Sequence, residues 1–203
     1  MPISVGQKVH EGEHFSATID LINRSFNGCT ILVDDVIQRY SLKLFFPKLN
    51  DDQLYEKSLK LGDDWINRNK TVYEKLLIPY NVMRWEDWLK HEWYDKQYKL
   101  ICNLYDTNSN FKGSLESNAK IYLDRVLSRD LEPGSFNYEY GVQLCIDYLK
   151  EECAVMTLWA TYGFHFEVYP TGRNLAMQAT YKYIILPQNE NLVKSVAIRF
   201  KRN

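Results

Sequence analysis

The stretch EHFSATIDLINRSFNGCTILVDD, residues Glu13–Asp35, decides the fold. Its first half places apolar side chains at helical spacing, namely Phe15, Ile19, Ile22 and Phe26. An Asn-Gly pair ends this helix. The following CTILVDD is short, apolar and β-branched, as is typical of a strand buried in a parallel sheet. Since PISV at the amino end predicts another short strand, we expect a strand–helix–strand unit and an α/β fold with a mainly parallel sheet flanked by helices.

The remaining chain continues the alternation of helices and strands. We expect a long charged helix from Asp51 to about Leu77, bent near Gly62, and a short strand at Val82–Trp85. Helices follow in EDWLKHEWYDKQYKLICNLY, over Leu115–Arg129 and in the segment that contains YLKEECAVMTLWA. The segments DTNSNFKG and DLEPGSFN are predicted loops, and FHFEVYP, TYKYIILP and KSVAIRFKR are predicted strands.

Composition restricts the class of protein. The 203 residues are 45% hydrophobic, without repeat or linker, so we expect one domain over residues 1–203. The net charge of −1 neither supports nor excludes a nucleic-acid partner. The four cysteines form no CxxC pair, and no apolar run has the length of a signal core or a membrane span. These features predict reduced cysteines and a cytoplasmic location.

The segment HEGEH at His10–His14 matches HExxH, the pattern in which two histidines on one helical turn hold zinc. Gly12 weakens the helix that this motif needs, and no third ligand is evident. A zinc hydrolase is therefore a distant alternative to a solvated helix start.

Two further features carry polar groups at places where α/β folds bind ligands. Ser4, in SVGQ, follows the first strand and is either a nucleophile or a turn serine that satisfies backbone groups. Tyr148 and Glu152 lie four residues apart on a mostly apolar helix, where a carboxylate is costly without a partner or a function. They could be a structural hydrogen-bonded pair or part of a substrate site. Tyr169 and Pro170 end the next strand, at the same sheet edge as Ser4.

In order and spacing, SVGQ, YLKEE and EVYP resemble the tRNA-dependent cyclodipeptide synthases. ILVDDVIQRYSL is similar to the second-strand segment of that family, and WINRN to part of its long basic helix. Gln7, Tyr169 and Pro170 resemble the branch of the family with Tyr-Pro at the end of the late strand. The resemblance implies a Rossmann-like fold similar to the catalytic domain of class I aminoacyl-tRNA synthetases. It also implies a monomer that uses neither cofactor nor metal.

The resemblance further implies an ATP-independent, ping-pong aminoacyl transfer between two aminoacyl-tRNAs that ends in a diketopiperazine. By this analogy Ser4 is the nucleophile and carries the acyl group. Glu152 holds the substrate α-ammonium, Tyr148 orients the acyl group and Tyr169 relays protons during cyclisation. Gln7 lines the site.

The substrate walls and the tRNA surface are predicted by the same analogy. Val33 and Val155, with Gln7 and Pro170, are the expected substrate-binding residues. The tRNA is expected to bind through its phosphates to the basic residues of the long helix, Arg68 first: Lys57, Lys60, Arg68, Lys70 and Lys75. Interleaved acids leave a solvated mixed-charge face as the other interpretation. The main alternative function is a non-catalytic tRNA- or nucleotide-binding module on the same fold.

Overall fold

The computed structural model describes residues 1–130, 137–170, 172–188 and 193–200, without the side chains of residues 129 and 130. Five strands are present in this part of the chain: β1 (Pro2–Ser4), β2 (Cys29–Asp34), β3 (Tyr80–Arg84), β4 (Phe166–Tyr169) and β5 (Lys194–Ala197). The first five helices are α1 (Gly12–Ser25), α2 (Gln38–Phe45), α3 (Asp51–Tyr73), α4 (Trp85–Leu89) and α5 (Tyr94–Thr107). The later ones are α6 (Ser109–Asp130), α7 (Tyr138–Thr161), α8 (Leu175–Thr180) and α9 (Leu186–Gln188).

All strand pairs are parallel. β1, β2 and β3 form one sheet with β2 in the middle, and β4 pairs with β5 in a second sheet. β1 also contacts β4, so the strands follow the spatial order β3-β2-β1-β4-β5. This is the doubly wound order, whose ligand site lies at the switch point between the first and fourth strands. The α/β fold and the Rossmann-like topology expected from the sequence are confirmed.

Strand β2 separates two of the three hydrophobic clusters because successive side chains of a strand face opposite sides. Ile31 and Val33 pack with residues of α1 and α3, including the buried Trp65. Leu32 packs on the other side, against α4 and the carboxyl-terminal half of α7. The third cluster lies among α5, α6, α7 and α8. Helix α7 therefore contributes to two of the three clusters.

Gly62, where a bend was expected, lies in an unbroken α3 and leaves room for a buried ion pair. Asp35, which is fully buried, accepts a hydrogen bond of 2.6 Å from Nε of Arg84. A Cβ atom at Gly62 would lie 2.5 Å from Oδ2 of Asp35 and 2.8 Å from Nη2 of Arg84. Glycine is therefore required at this position, because the Asp35–Arg84 ion pair lies too close to the helix backbone to leave room for a side chain.

Two predictions of local structure were wrong. TYKYIILP is helical: α8 continues into a π-helical turn at Tyr181–Ile185, where the amide of Leu186 bonds to the carbonyl of Tyr181. DTNSNFKG is the junction of α5 and α6, because Oδ1 of Asn108 accepts the amides of Asn110 (3.1 Å) and Phe111 (3.0 Å) and starts α6. The predicted loop DLEPGSFN lies almost entirely outside the described residues. The strand predicted in KSVAIRFKR is present as β5.

Candidate active site

Ser4 is held at the carboxyl end of β1 by a tight turn. The amide of Gln7 donates to the carbonyl of Ser4 at 3.1 Å, and Gly6 has a φ of 86°, a value that favours glycine. The turn leaves Oγ of Ser4 free to meet the second sheet. Oγ lies 2.9 Å from the hydroxyl of Tyr169, the last residue of β4. The two side chains thus bridge the boundary between β1 and β4.

His10 contacts both Ser4 and Tyr169. The Ser4 amide donates to Nδ1 of His10 at 3.0 Å, and the imidazole ring contacts the Tyr169 ring edge-on, with 5.3 Å between centroids. Burial lowers the pKa of His10 to about 4, so the ring is neutral at pH 7 and can accept this bond. The indole of Trp65 donates to the His10 carbonyl at 3.1 Å.

The zinc interpretation of HEGEH fails on geometry. His10 ends a 3-10 helix at Lys8–His10, whereas the exposed His14 belongs to α1, which begins at Gly12. The two imidazoles therefore do not share a helical turn, as HExxH requires. Within the described ranges, no group of three His, Cys, Asp or Glu side chains could share a metal ion. His10 is also not part of a solvated helix start, because it is 2% exposed.

Helix α7 brings Tyr148 and Glu152 to the same edge. Nδ2 of Asn174 donates to Oε2 of Glu152 at 3.3 Å, while Oδ1 of Asn174 caps α8 by accepting the amide of Met177. Burial, with a smaller effect of Glu167, raises the pKa of Glu152 to about 7. Burial and the neighbouring carboxylates also raise the pKa of Tyr148 well above its usual value. Both groups therefore lie in a weakly hydrated environment.

Five of the predicted site residues line one cavity of about 420 Å³: Ser4, Gln7, Tyr148, Glu152 and Tyr169. Apolar side chains complete its walls, among them Leu44, Ala119, Leu144, Leu149, Trp159 and Met177. The expected convergence of residues from both ends of the chain is thus observed. A polar, titratable edge beside an apolar wall suits an amino acid, whose amine and carbonyl need partners while its side chain needs packing.

Three predicted substrate residues lie away from this cavity. Val33 is fully buried with α1 and α3, because it faces the opposite side of β2. Val155 is fully buried one turn beyond Glu152, where α7 packs against Leu32 and α4. Pro170 is half-buried after β4 and does not line the cavity. The prediction that Val33 and Val155 form substrate walls is wrong, whereas substrate binding by Pro170 stays a prediction.

The structure adds two residues to the site. Asp34, the last residue of β2, lies in register beside Ser4 and lines the cavity. Asn174 binds Glu152 and lines the same cavity. A carboxylate at the carboxyl end of a buried parallel strand was a usable sequence signal for Asp34. The sequence offers no comparable signal for Asn174, which approaches through the tertiary fold.

Glu151, the neighbour of Glu152, has a structural role. It is 2% exposed and forms an ion pair with Arg39. Its carboxylate also accepts the indole of Trp85 at 2.8 Å and the hydroxyl of Tyr40 at 3.1 Å. Because consecutive helical residues point about 100° apart, Glu151 fixes α7 against α2 and α4 while Glu152 faces the cavity.

The basic residues predicted to bind tRNA do not form one uniform surface. At 3.6 residues per turn, Lys57, Lys60 and Arg68 share one side of α3, whereas Lys70 lies on another and Lys75 follows the helix. Arg68 is paired with Glu11 at 2.6 Å. Such exposed pairs contribute little stability, so a phosphate could compete for the guanidinium.

Arg125, in α6, is an exposed cation that lines the cavity itself. No ion pair of its guanidinium is present within the described part of the chain. None of the described helices is long and apolar enough to cross a membrane.

Several solved structures similar to this chain are cyclodipeptide synthases. A cyclodipeptide synthase from Fluoribacter dumoffii is 45% identical over 100% of this chain and 90% of its own, with a TM-score of 0.95. A cyclodipeptide synthase from Candidatus Glomeribacter gigasporarum, bound to Phe-tRNAPhe, is 18% identical over 100% and 88% of the two chains, with a TM-score of 0.77.

A Mycobacterium tuberculosis protein, whose structure relates cyclodipeptide synthetases to type I tRNA synthetases, is 13% identical over 96% of this chain and 80% of its own, with a TM-score of 0.66. No protein-family model and no curated protein matches the chain. The identity to the F. dumoffii enzyme over the whole chain is decisive: this protein belongs to the cyclodipeptide synthase family.

Proposed function

We propose that this aminoacyltransferase joins the aminoacyl groups of two aminoacyl-tRNAs into a cyclic dipeptide through an acyl-Ser4 intermediate, without ATP. The observation that carries the proposal is the 2.9 Å contact between Ser4 Oγ and the Tyr169 hydroxyl, in a cavity shared with Tyr148 and Glu152. Gln7, Tyr169 and Pro170 support assignment to the Tyr-Pro branch of the family. Because its substrates are aminoacyl-tRNAs, we place the protein in the cytoplasm. The resemblance to the family supports a monomer.

In the first half-reaction, Ser4 Oγ attacks the ester carbonyl of an aminoacyl-tRNA. The Ser4 proton passes to the 3′-terminal ribose oxygen as the ester bond breaks, and Tyr169 is placed to relay it. Glu152 binds the α-ammonium by a charge-assisted hydrogen bond, held in orientation by Asn174. Tyr148 orients the acyl carbonyl. Since the ester is already activated, positioning and proton transfer can supply most of the acceleration.

In the second half-reaction, the amine of a second aminoacyl-tRNA attacks the acyl-Ser4 carbonyl and releases Ser4. The resulting dipeptidyl ester remains linked to the second tRNA. Attack of its free amine on that ester closes the six-membered diketopiperazine and releases the tRNA. Both steps form an amide from an ester, so the cavity needs acyl positioning and proton transfer twice but no second nucleophile.

The tRNA is proposed to be bound by phosphate contacts along α3 and at the cavity entrance. Lys57 and Lys60 share one side of α3 with Arg68, which can exchange Glu11 for a phosphate. Arg125 lies at the cavity, near where the acylated 3′ end must enter. These contacts carry no sequence information, which suits an enzyme that accepts two tRNAs.

The test uses purified protein and aminoacyl-tRNAs with radiolabelled amino acids, without ATP. Mass spectrometry should detect a cyclic dipeptide and, after rapid quenching, an aminoacyl group on Ser4. Ser4→Ala should abolish both, whereas the control Ser117→Ala, an exposed serine of α6 that does not line the cavity, should retain both. An acyl-enzyme that persists in Ser4→Ala would exclude the proposed nucleophile. Binding of tRNA without product would favour the non-catalytic module instead.

A further inference from the structure

Asp34 is a buried carboxyl group that the reaction described above does not use. It is 6% exposed, and its Oδ1 is buried without a hydrogen-bond partner in the part of the chain that the structure describes. An unsatisfied buried carboxylate oxygen is costly and unusual in a native fold. The neighbouring Asp35 is also buried, but its carboxylate has hydrogen-bond partners, namely the guanidinium of Arg84 and the amides of Val36 and Trp85. Asp34 therefore remains available for a partner that is not part of the chain.

The position of Asp34 indicates what this partner must be. Its register neighbour across the sheet is Ser4, and both line the cavity with Tyr169. A donor bound to Asp34 would thus lie beside the nucleophile, on the β2 side. Glu152 reaches the same cavity from α7, on another element. The cavity therefore offers two separate carboxyl groups to its ligands.

The proposed reaction brings two amines to this cavity. The first belongs to the amino acid that is transferred to Ser4, and Glu152 is assigned to it. The second belongs to the incoming aminoacyl-tRNA and must lose a proton before it can attack. Burial and the nearby Glu152 raise the pKa of Asp34 well above its ordinary range, which brings its proton affinity nearer to that of an amine. Proton transfer is most effective between groups matched in this way.

We propose that Asp34 is a catalytic residue of the second half-reaction: its carboxylate binds the α-ammonium of the second aminoacyl-tRNA and accepts a proton from it. The inference rests on the proposed function. The neutral amine then forms the N–C bond to the acyl carbon, and the bond between that carbon and Ser4 Oγ breaks. The second amine proton passes through the Tyr169 hydroxyl to Oγ. The products are an amide, a free Ser4 hydroxyl and protonated Asp34, which returns its proton to water.

The test separates the two half-reactions in Asp34→Asn, which keeps the shape and removes the base. Formation of the acyl-enzyme from the first aminoacyl-tRNA should proceed at the wild-type rate, whereas transfer to the second should fall by about 10²-fold or more. Hydroxylamine, which is largely unprotonated at neutral pH, should release the acyl group from both proteins equally. The matched control is Asp20→Asn, an exposed carboxylate on α1, which should change neither step.

Each outcome decides between the alternatives. Asp34→Ala is measured in parallel, and acyl-enzyme formation in either variant shows that the site is folded. Transfer at the wild-type rate, or loss of acyl-enzyme formation in both variants, overturns the role of Asp34. Slowed release by hydroxylamine also overturns it, because a misplaced acyl group would then explain the defect. If the wild-type protein itself forms no acyl-enzyme, the proposed function fails rather than this inference.

Discussion

Replacing Gly62 by alanine should destabilise the protein although alanine is the better helix former. The new methyl group would lie 2.5 Å from Oδ2 of Asp35 and 2.6 Å from its Cβ. Asp35 is fully buried, so neither atom can move into solvent. The added methyl therefore separates the carboxylate from Arg84, with which it forms an ion pair of 2.6 Å.

The change in the free energy of unfolding combines a loss from the disrupted ion pair with a gain from the higher helix propensity of alanine. Disrupting a buried ion pair costs about 3–5 kcal/mol. Arg84 is 26% exposed, so the lower end of that range, about 3 kcal/mol, applies. Alanine returns about 1 kcal/mol of helix propensity. The free energy of unfolding should thus fall by about 2 kcal/mol, and Tm should fall by about 4–8 °C for a chain of this length.

Urea unfolding, followed by far-ultraviolet circular dichroism, measures this change. The matched control is Gly113→Ala in α6, where an added Cβ would meet no atom within 4 Å. This variant should gain up to about 1 kcal/mol, since only helix propensity changes. Equal unfolding midpoints for the two variants would refute the argument from close approach.

Four other perturbations test the site. The pKa of Glu152 is raised from 4.5 to about 7, so the native form binds a proton more tightly than the unfolded form, and stability should decline as the pH rises from 4.5 to 7. Glu152→Gln should remove this decline, and Tm-against-pH curves that run parallel for the wild type and the variant would contradict the prediction. His10→Ala should slow acylation of Ser4 by about tenfold, as expected for one lost hydrogen bond, and His10→Asn, whose amide oxygen can accept the same amide, should slow it less. Tyr169→Phe should reduce product formation by about 10²-fold while lowering the free energy of unfolding by only about 1 kcal/mol, the cost of one hydrogen bond. Full activity of this variant would exclude a proton relay. Arg125→Ala should raise KM for aminoacyl-tRNA at constant kcat, and the slope of log KM against log salt should fall by the amount expected for about one phosphate contact. An unchanged KM would show that Arg125 does not contact the tRNA.

Sequence patterns predicted the elements whose local preference agrees with their tertiary environment. Helix α1 and strand β2 have a clear period and a clear stop, and both were placed correctly. TYKYIILP failed because β-branched and aromatic residues favour strands only weakly, and packing decided instead: Ile184 and Ile185 are buried in two different clusters. The Asn108 junction failed because the same polar residues serve as loops and as helix caps.

Site residues could be predicted from the sequence only where their position within a single strand or helix was enough to identify them. Ser4 and Tyr169 were found at strand ends, and Tyr148 and Glu152 were found as polar residues four apart in an apolar helix. The resemblance to a family then assigned their roles. Whether a side chain faces the cavity depends on register and on packing between elements. Val33 and Asp34 are adjacent in β2, yet only Asp34 lines the cavity, because the strand alternates its faces.

The boundary between β1 and β4 has a mechanical consequence. Within the described strands, the two sheets form separate ladders, and the hydroxyls of Ser4 and Tyr169 meet across their boundary. Widening the cavity there costs one side-chain hydrogen bond, whereas opening a continuous sheet would break several backbone bonds. Under the proposed mechanism the site must hold first one aminoacyl group, then a dipeptidyl ester, and finally release a ring, and a boundary that widens at low cost suits this change of ligand size. Under the same mechanism, the Ser4–Tyr169 hydrogen bond would hold the two sheets together while the Ser4 hydroxyl is free and would weaken once its oxygen is acylated.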